Sequence, residues 1–187
     1  MKDYHTTPVA LAADHGGYAL KEAIRAHLEA KGIPYKDFGT HSADSCDYPD
    51  LALPACQAVT AGQCSCAILC CGTGVGMSMC ANKVRGIRAC CCSETFSAEF
   101  TRRHNDANAL CLGGRVVGEG LALSIVDIFL STPFEGGRHS RRIEKVMAIE
   151  QLLPPLFSRP AGQAAIPGRD SAAPHPTTVR SQYYERC

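Results

Sequence analysis

Ala67-Ile68-Leu69-Cys70-Cys71-Gly72-Thr73-Gly74-Val75-Gly76-Met77-Ser78-Met79 is the stretch that decides the fold. It begins as a short apolar run, which is typical of a parallel strand buried on both faces. Three glycines at alternate positions then break the run, and a segment compatible with a helix continues from Met77 to Asn82. The stretch therefore predicts a strand, a glycine turn and a helix in that order.

The glycine turn, residues 72–76, predicts an anion site. Such a turn aims backbone N–H groups and the positive end of a helix dipole at one point. Cys71 ends the strand beside that point, where a thiol is expected to have a larger thiolate fraction. We hypothesise that Cys71 is a catalytic base or nucleophile acting on an anionic substrate. The same residues are also compatible with a structural turn and an inert packed cysteine.

Strand-like and helix-like segments alternate along the rest of the chain. The hydrophobic pattern predicts further strands at 8–13, 34–38, 86–92 and 107–112. It predicts helices at 18–31, 51–61, 94–103, 118–130 and 139–153, with residues 40–50 as a loop and Ser93 as an N-cap. This alternation predicts an α/β fold: a three-layer, open, mostly parallel, Rossmann-like sheet of about five strands, with helices on both faces.

Ligands of such sheets bind beyond the carboxyl ends of the strands. We therefore expect three polar segments to converge there: Asp14-His15, the glycine turn, and His104-Asn105, predicted to lie in the turn before the fifth strand. Arg138 and Arg142 are four residues apart on the last predicted helix and could clamp a phosphate from one face. A solvated basic helix face is the alternative.

Composition limits the function classes and the domain organisation. The formal net charge of +1 and the lack of a basic stripe argue against a nucleic-acid partner, and no apolar run is long enough to span a bilayer. Residues 1–153 are predicted to form one domain. The Pro-rich segment 154–187 has few large apolar residues and is predicted to be a disordered tail.

Twelve cysteines are unusual for a chain of 187 residues. Several are adjacent in sequence, so on strands they point to opposite faces and do not form a natural disulfide framework. We read them as reduced thiols in a cytoplasmic protein. Cys64 and Cys66 have the wrong spacing for a usual zinc pair, so no metal site is expected.

Six motifs occur in one order and spacing that resembles a known family. They are Ala13-Asp14-His15-Gly16-Gly17, Asp47-Tyr48-Pro49, Cys71-Gly72-Thr73-Gly74-Val75-Gly76, Arg103-His104-Asn105-Asp106, Gly114-Arg115-Val116-Val117-Gly118 and Glu135-Gly136-Gly137-Arg138-His139. As a set they resemble the type B ribose-5-phosphate isomerases, within the sugar-phosphate isomerase family that includes galactose-6-phosphate isomerase subunits. The resemblance covers residues 9–151 and leaves the tail outside it.

The resemblance implies an activity and its residues. It implies interconversion of D-ribose 5-phosphate and D-ribulose 5-phosphate, without a metal or organic cofactor. Cys71 matches the general base that moves a proton between C1 and C2, and His104 matches a residue that helps open the furanose ring. The implied catalytic residues are Cys71, His104, Asp14 and Thr73. The implied substrate contacts are Asp14, His15, Gly72, Thr73, Gly74, Val75, Gly76, Asn105, Arg115, Arg138 and Arg142.

The resemblance also implies a partner, and rival functions stay open. Relatives of this kind are dimers whose pockets are completed by the partner chain, so a homodimer is expected here, with a tetramer as the alternative. The rival functions are a hexose-6-phosphate isomerase acting on allose or galactose phosphates, a non-catalytic protein that binds sugar phosphates, and a thiol redox or metal-binding protein.

Overall fold

Strands and helices alternate through residues 6–152, the part of the chain that the computed structural model describes. The strands are β1 (Val9–Ala13), β2 (Tyr35–Asp37), β3 (Ala67–Cys71), β4 (Ala89–Cys91) and β5 (Ala109–Gly113). The helices are α1 (Tyr18–Ala30), α2 (Tyr48–Thr60), α3 (Val75–Ala81), α4 (Thr95–Asn105), α5 (Glu119–Ser131) and α6 (Arg138–Leu152). The predicted strand, glycine turn and helix at residues 67–82 are confirmed.

The strands form one all-parallel sheet in the order β2-β1-β3-β5-β4. Ala67 of β3 lies opposite Ala109 of β5, and Cys71 opposite Gly113, so these two strands run in step over their full length. The order reverses direction between β1 and β3, which is the switch point where open α/β sheets bind ligands. Cys71 therefore ends its strand at the switch point.

Helices cover both faces of the sheet, as predicted. On one face, α1, α4 and α5 pack on the larger strand side chains, including Leu11, Ile68 and Leu110. On the other face, α2 and α3 pack on strand residues that are mostly Ala and Cys. Cys70 belongs to the first core and Cys71 to the second, so adjacent cysteines do point to opposite faces.

The predicted cap of α4 and the predicted starts of α2 and α3 are wrong. Helix α3 begins at Val75 rather than Met77, so its first turn includes the end of the predicted glycine turn. Glu94, not Ser93, caps α4: its backbone is extended and its carboxylate accepts the Ser97 N–H at 2.8 Å. The Glu94 side chain thus accepts a hydrogen bond from a free N–H group of the first helical turn, as an N-cap side chain does. Helix α2 begins at Tyr48, inside the predicted loop, because Pro49 suits a first helical turn.

The predicted tail, residues 154–187, lies outside the described residues. No helix between residues 6 and 152 combines the length and apolarity that crossing a membrane requires.

A buried ion pair fixes the chain near the end of β1. The Lys21 side chain is fully buried, and its Nζ lies 2.5 Å from Asp37 Oδ2 and 3.0 Å from Glu22 Oε1. The other Asp37 oxygen accepts the Gly39 N–H at 2.8 Å. The Gly39 carbonyl in turn accepts the Ala13 N–H at 2.6 Å, one residue before Asp14. The ion pair therefore supports the backbone that leads into Asp14.

We expect Asp37→Asn to destabilise the fold by about 3 kcal/mol, because it leaves the buried Lys21 ammonium short of its main counter-charge. Urea unfolding monitored by circular dichroism measures the loss. Adding Lys21→Met to Asp37→Asn should recover at least half of it, since no unpaired charge then remains.

Glu22→Gln is the matched control, because it also removes a carboxylate beside Lys21 but one that is 32% exposed. We expect it to cost less than about 1 kcal/mol. Equal losses for Asp37→Asn and Glu22→Gln would contradict the assignment of Asp37 as the main partner.

Candidate active site

Asp14 lies at the carboxyl edge of the sheet, meaning the edge where the strands end. It directly follows β1, is buried, and its N–H donates to the Cys70 carbonyl of β3 at 3.1 Å. Its Oδ1 accepts the Gly17 N–H at 3.0 Å. A Cβ atom on Gly16 would lie 3.3 Å from Asp14 Oδ1 and 3.0 Å from the Gly72 nitrogen. The Asp14 carboxylate therefore lies beside the start of the glycine turn.

The glycine turn holds the Cys71 sulfur. Cys71 is 5% exposed, and its Sγ accepts the Gly74 N–H at 3.1 Å. Gly74 has φ +78°, and a Cβ atom there would lie 2.8 Å from Cys91 Sγ and 2.9 Å from a Leu112 backbone carbon. Only glycine fits both the backbone angle and the space. The turn therefore directs a backbone N–H at the sulfur.

Side chains from other loops surround the glycine turn. Arg115 follows β5; its N–H donates to the Gly72 carbonyl at 3.0 Å, and its side chain passes 3.7 Å from where a Gly72 Cβ would be. His15 Nδ1 accepts the Cys46 N–H at 3.3 Å, so Nε2 carries the proton in the neutral ring. The Tyr48 ring packs over Gly76. Asp14, His15, Cys71, Thr73 and Arg115 thus share one edge.

His104 and Asn105 do not join this group within one subunit, so the predicted convergence of three segments is wrong in part. They are the last two residues of α4, not a turn, and the chain from α4 leads into the start of β5. A segment that precedes a parallel strand lies at the opposite, amino edge. Ala109 is four residues before Gly113, the partner of Cys71, which is about 13 Å along a strand.

The amino edge carries a cluster of charged and aromatic side chains. The His104 and His139 rings stack with centroids 4.1 Å apart, and Glu135 Oε2 lies 3.5 Å from His104 Nε2. Arg103 forms an ion pair with Glu135, and the Arg138 Nε donates to His139 Nε2 at 3.3 Å. We call His104, His139, Glu135, Arg103 and Arg138 the amino-edge cluster.

Two pKa shifts describe the electrostatics of the amino-edge cluster. The hydrogen bond from Arg103 holds the pKa of Glu135 below its ordinary value. Burial lowers the pKa of His139, and the neighbouring His104, Arg138 and Arg142 lower it further, against an opposing effect of Glu135. Three arginines, Arg103, Arg138 and Arg142, thus surround the one carboxylate of the cluster, so the local field is positive and favours a bound anion.

The positive field of the amino-edge cluster also disfavours a bound metal ion. Within the described residues, donor atoms of His104, Glu135 and His139 lie within 4.8 Å of one another, a spacing that could suit a metal ion. However, the guanidinium groups of Arg103 and Arg138 already bind Glu135 and His139. A divalent cation bound by Glu135 Oε2 and the two histidines would have to displace Arg138 from His139 Nε2 and would lie beside two guanidinium groups. This cluster therefore suits an anion better than a cation.

Sequence reasoning missed the roles of Arg103, Glu135 and His139 in this cluster. All three stand in the quoted motifs, but nothing in their spacing shows that α6 starts beside the end of α4. It also missed the Cys46 N–H that orients His15, because a backbone donor leaves no signal in the residue type.

Comparison with known proteins places this chain in a class of enzymes, the aldose–ketose isomerases that act on sugar phosphates. The model of the ribose/galactose isomerase family matches residues 9–146. The chain is 50% identical to ribose-5-phosphate isomerase B of Escherichia coli K12 over 143 residues, which is 76% of this chain and 96% of that protein. The chain belongs to the ribose/galactose isomerase family, and the resemblance found in its motifs is confirmed.

Comparison with solved structures supports the same family. Ribose-5-phosphate isomerase B of Clostridium thermocellum superposes with a TM-score of 0.77 at 49% identity, covering 78% of this chain and 99% of that one. The Mycoplasma genitalium enzyme, solved with bound ribulose-5-phosphate, superposes with a TM-score of 0.76 at 40% identity over 79% and 99% of the chains. The five-stranded α/β fold is therefore that of this family.

We expect Arg142→Gln to raise the pKa of His139, because it removes one of the cations that disfavour the imidazolium. Burial remains, so the His139 pKa should stay below its ordinary value. An NMR titration of the imidazole ring protons measures both. Glu144→Gln is the control, since no ion pair of Glu144 is found among the described residues, and a downward shift in Arg142→Gln would contradict the positive field.

Proposed function

We propose that this protein interconverts D-ribose 5-phosphate and D-ribulose 5-phosphate. The observation that carries the proposal is the Cys71 sulfur, which accepts the Gly74 N–H at the switch point of the sheet, beside the Asp14 carboxylate. The identity to a protein named ribose-5-phosphate isomerase B supports the five-carbon substrate. A hexose-6-phosphate isomerase is the second candidate, because the family description includes galactose isomerases.

The proposed reaction moves one proton along the sugar. The Cys71 thiolate takes the proton from C2 of the open aldose, and the electrons of that bond form an enediolate between C1 and C2. The thiol then returns the proton to C1, while the O2 proton passes to O1, which yields the ketose. Backbone N–H groups of residues 72–76 stabilise the enediolate oxygens, with Thr73 among them. Asp14 contacts the substrate hydroxyls, His15 contacts the sugar or its phosphate, and Arg115 contributes a further contact.

The remaining proposed residues come from a second subunit. Ring opening by His104 and proton transfer by Cys71 act on neighbouring atoms of one substrate, so both groups must lie within hydrogen-bond reach of it. Within one subunit, a strand of about 13 Å separates their edges. A homodimer that sets the amino edge of one subunit against the carboxyl edge of the other would complete each site, with Asn105, Arg138 and Arg142 binding beside His104.

Exposed apolar side chains support such a dimer. Val75 and Met79 on α3 are 51% and 64% exposed beside the glycine turn, and Val116 is 58% exposed beside Arg115. Phe96 is 65% exposed on α4 and stacks on Phe100, whose ring contacts His104. Apolar surface thus flanks both halves of the proposed site, as a two-fold interface requires.

We also propose a cytoplasmic location. Every cysteine in the described range is a free thiol, and burial raises the pKa of most of the core thiols, to about 12 for Cys56. Inert free thiols of this kind suit a reducing compartment. They also argue against the thiol redox alternative.

An NMR assay with purified protein tests the function. We expect ribose 5-phosphate to be converted to ribulose 5-phosphate, and the reverse, faster than allose or galactose 6-phosphate reacts. Cys71→Ala should lower the rate by about 10³-fold, because it removes the base.

Cys70→Ala is the matched control, since it removes the adjacent sulfur on the opposite face of the same strand. We expect it to remain active. Turnover of the hexose phosphates alone would reject the proposed substrate, and an intact rate in Cys71→Ala would reject the base.

Mixing two inactive variants tests the shared site. Hybrids of Cys71→Ala and His104→Ala subunits should contain one intact site, made from the carboxyl edge of one subunit and the amino edge of the other. Half of randomly mixed dimers are hybrids, so about a quarter of wild-type activity should return.

The control for mixing is Cys71→Ala with Cys71→Ser, both altered at the same edge, which should recover nothing. Absence of recovery in the first mixture, once subunit exchange is shown by mass spectrometry, would contradict a site shared between subunits.

A further inference from the structure

The end of α4, which carries His104 and Asn105, is held by residues that the proposed reaction does not use. Asp106 caps the helix in a left-handed conformation with φ +43°, which is uncommon for a residue other than glycine. Its carboxylate binds two arginines: Oδ1 lies 2.8 Å from Arg102 Nη1 and Oδ2 lies 3.1 Å from Arg88 Nη2. The cap is therefore held from two sides.

Of the two arginines, Arg88 makes more hydrogen bonds with the helix end than Arg102 does. Its Nη2 donates to the Asp106 carbonyl at 2.6 Å, and its Nε donates to the Asn105 carbonyl at 3.0 Å. Carbonyl groups at a helix C-terminus lack partners within the helix and carry partial negative charge, so a guanidinium fork suits them. Arg88 thus fixes the backbone of the residue that follows His104.

Arg88 is itself anchored to the sheet. Its backbone N–H donates to Asn108 Oδ1 at 2.7 Å, and the Asn108 amide donates back to the Gly86 carbonyl at 2.8 Å. Asn108 immediately precedes β5 and is buried. Asn108, just before β5, therefore sets the position of the Arg88 backbone. The Arg88 side chain in turn sets the position of the end of α4.

The same segment also contacts α6. The Glu150 carboxylate accepts the Gly86 N–H at 3.0 Å, and Arg88 Nη1 lies 3.6 Å from Met147 Sδ. Helix α6 carries Arg138 and Arg142 at its other end. One short segment therefore fastens both elements that carry the amino-edge groups.

We propose that Arg88 and Asp106 are positioning residues for His104: their ion pair sets the orientation of the helix end from which His104 acts in ring opening. This inference rests on the proposed function. Neither residue takes part in the chemistry. A displacement of about 1 Å in a catalytic group can lower a rate by about 100-fold. Loss of the pair should therefore slow ring opening, which needs His104, and spare the proton transfer by Cys71.

The two steps can be measured separately because the two sugars differ. Ribose 5-phosphate is a closed furanose that must be opened before C2 can lose its proton. Ribulose 5-phosphate cannot close a five-membered ring, because its C5 oxygen carries the phosphate. In D₂O, exchange of a C1 proton of ribulose 5-phosphate therefore reports proton transfer by Cys71 without ring opening.

The test compares Arg88→Met with wild type in both measurements by NMR. We expect the turnover number for ribose 5-phosphate to fall at least about tenfold. We expect the exchange rate at C1 of ribulose 5-phosphate, measured at saturating substrate, to change by less than about threefold, because that step needs no ring opening. Arg25→Met is the matched control: Arg25 also forms two ion pairs, with Glu22 and Glu29, and it should leave both rates unchanged.

Asp106→Asn is the second variant if Arg88→Met fails to fold, as judged by circular dichroism. Asn tolerates the left-handed backbone but lacks the charge that binds both arginines. The same split between the two rates is expected. Equal falls in both rates, or no fall in either, would overturn the positioning role. Absence of ribose 5-phosphate turnover in the wild type would instead overturn the proposed function.

Discussion

Close contact between backbone segments at the carboxyl edge is the constraint on which the site depends. A Cβ atom on Gly17 would lie 2.4 Å from the carbonyl carbon of Cys70, and one on Gly114 would lie 2.8 Å from the Gly16 oxygen. The ends of β1, β3 and β5 therefore meet with no room for side-chain carbon. Backbone N–H groups packed this tightly cannot reorient, which is the condition for stabilising a charge that appears only during a reaction.

The opposite edge is organised differently. There the chemistry resides in long side chains, and ion pairs rather than backbone contacts hold them. Such a cluster can hold a doubly charged group at the far end of a small substrate, while the rigid edge acts on the reacting carbons. Dividing these tasks between two edges explains why the proposed site needs two copies of the chain.

The sequence predicted the sheet and the carboxyl edge well, because both follow from local patterns. An apolar run that ends in alternating glycines can form few other structures. Asp14 directly follows one strand and Cys71 ends another, at the same edge of the sheet. The placement of His104 could not be predicted in this way. Whether the residues before a strand end a helix or form a turn depends on which residue caps the helix. Asp106 caps α4 in a left-handed backbone conformation, which its residue type alone does not predict. The contact between His104 and His139 likewise depends on how two helices cross.

The hydrogen bonds from Gly86 and Arg88 to α6 and α4 have a consequence for how the protein would evolve. The helix end with His104 and the helix with Arg138 and Arg142 both contact the segment 86–88, through the Arg88 side chain and the Gly86 N–H respectively. A displacement of the whole segment would therefore move both together and keep the distance between them. In the proposed site, that distance corresponds to the distance from the ring oxygen of the substrate to its phosphate. Substitutions that displace this segment would thus change the position of the bound sugar without changing the length of sugar that the site accepts.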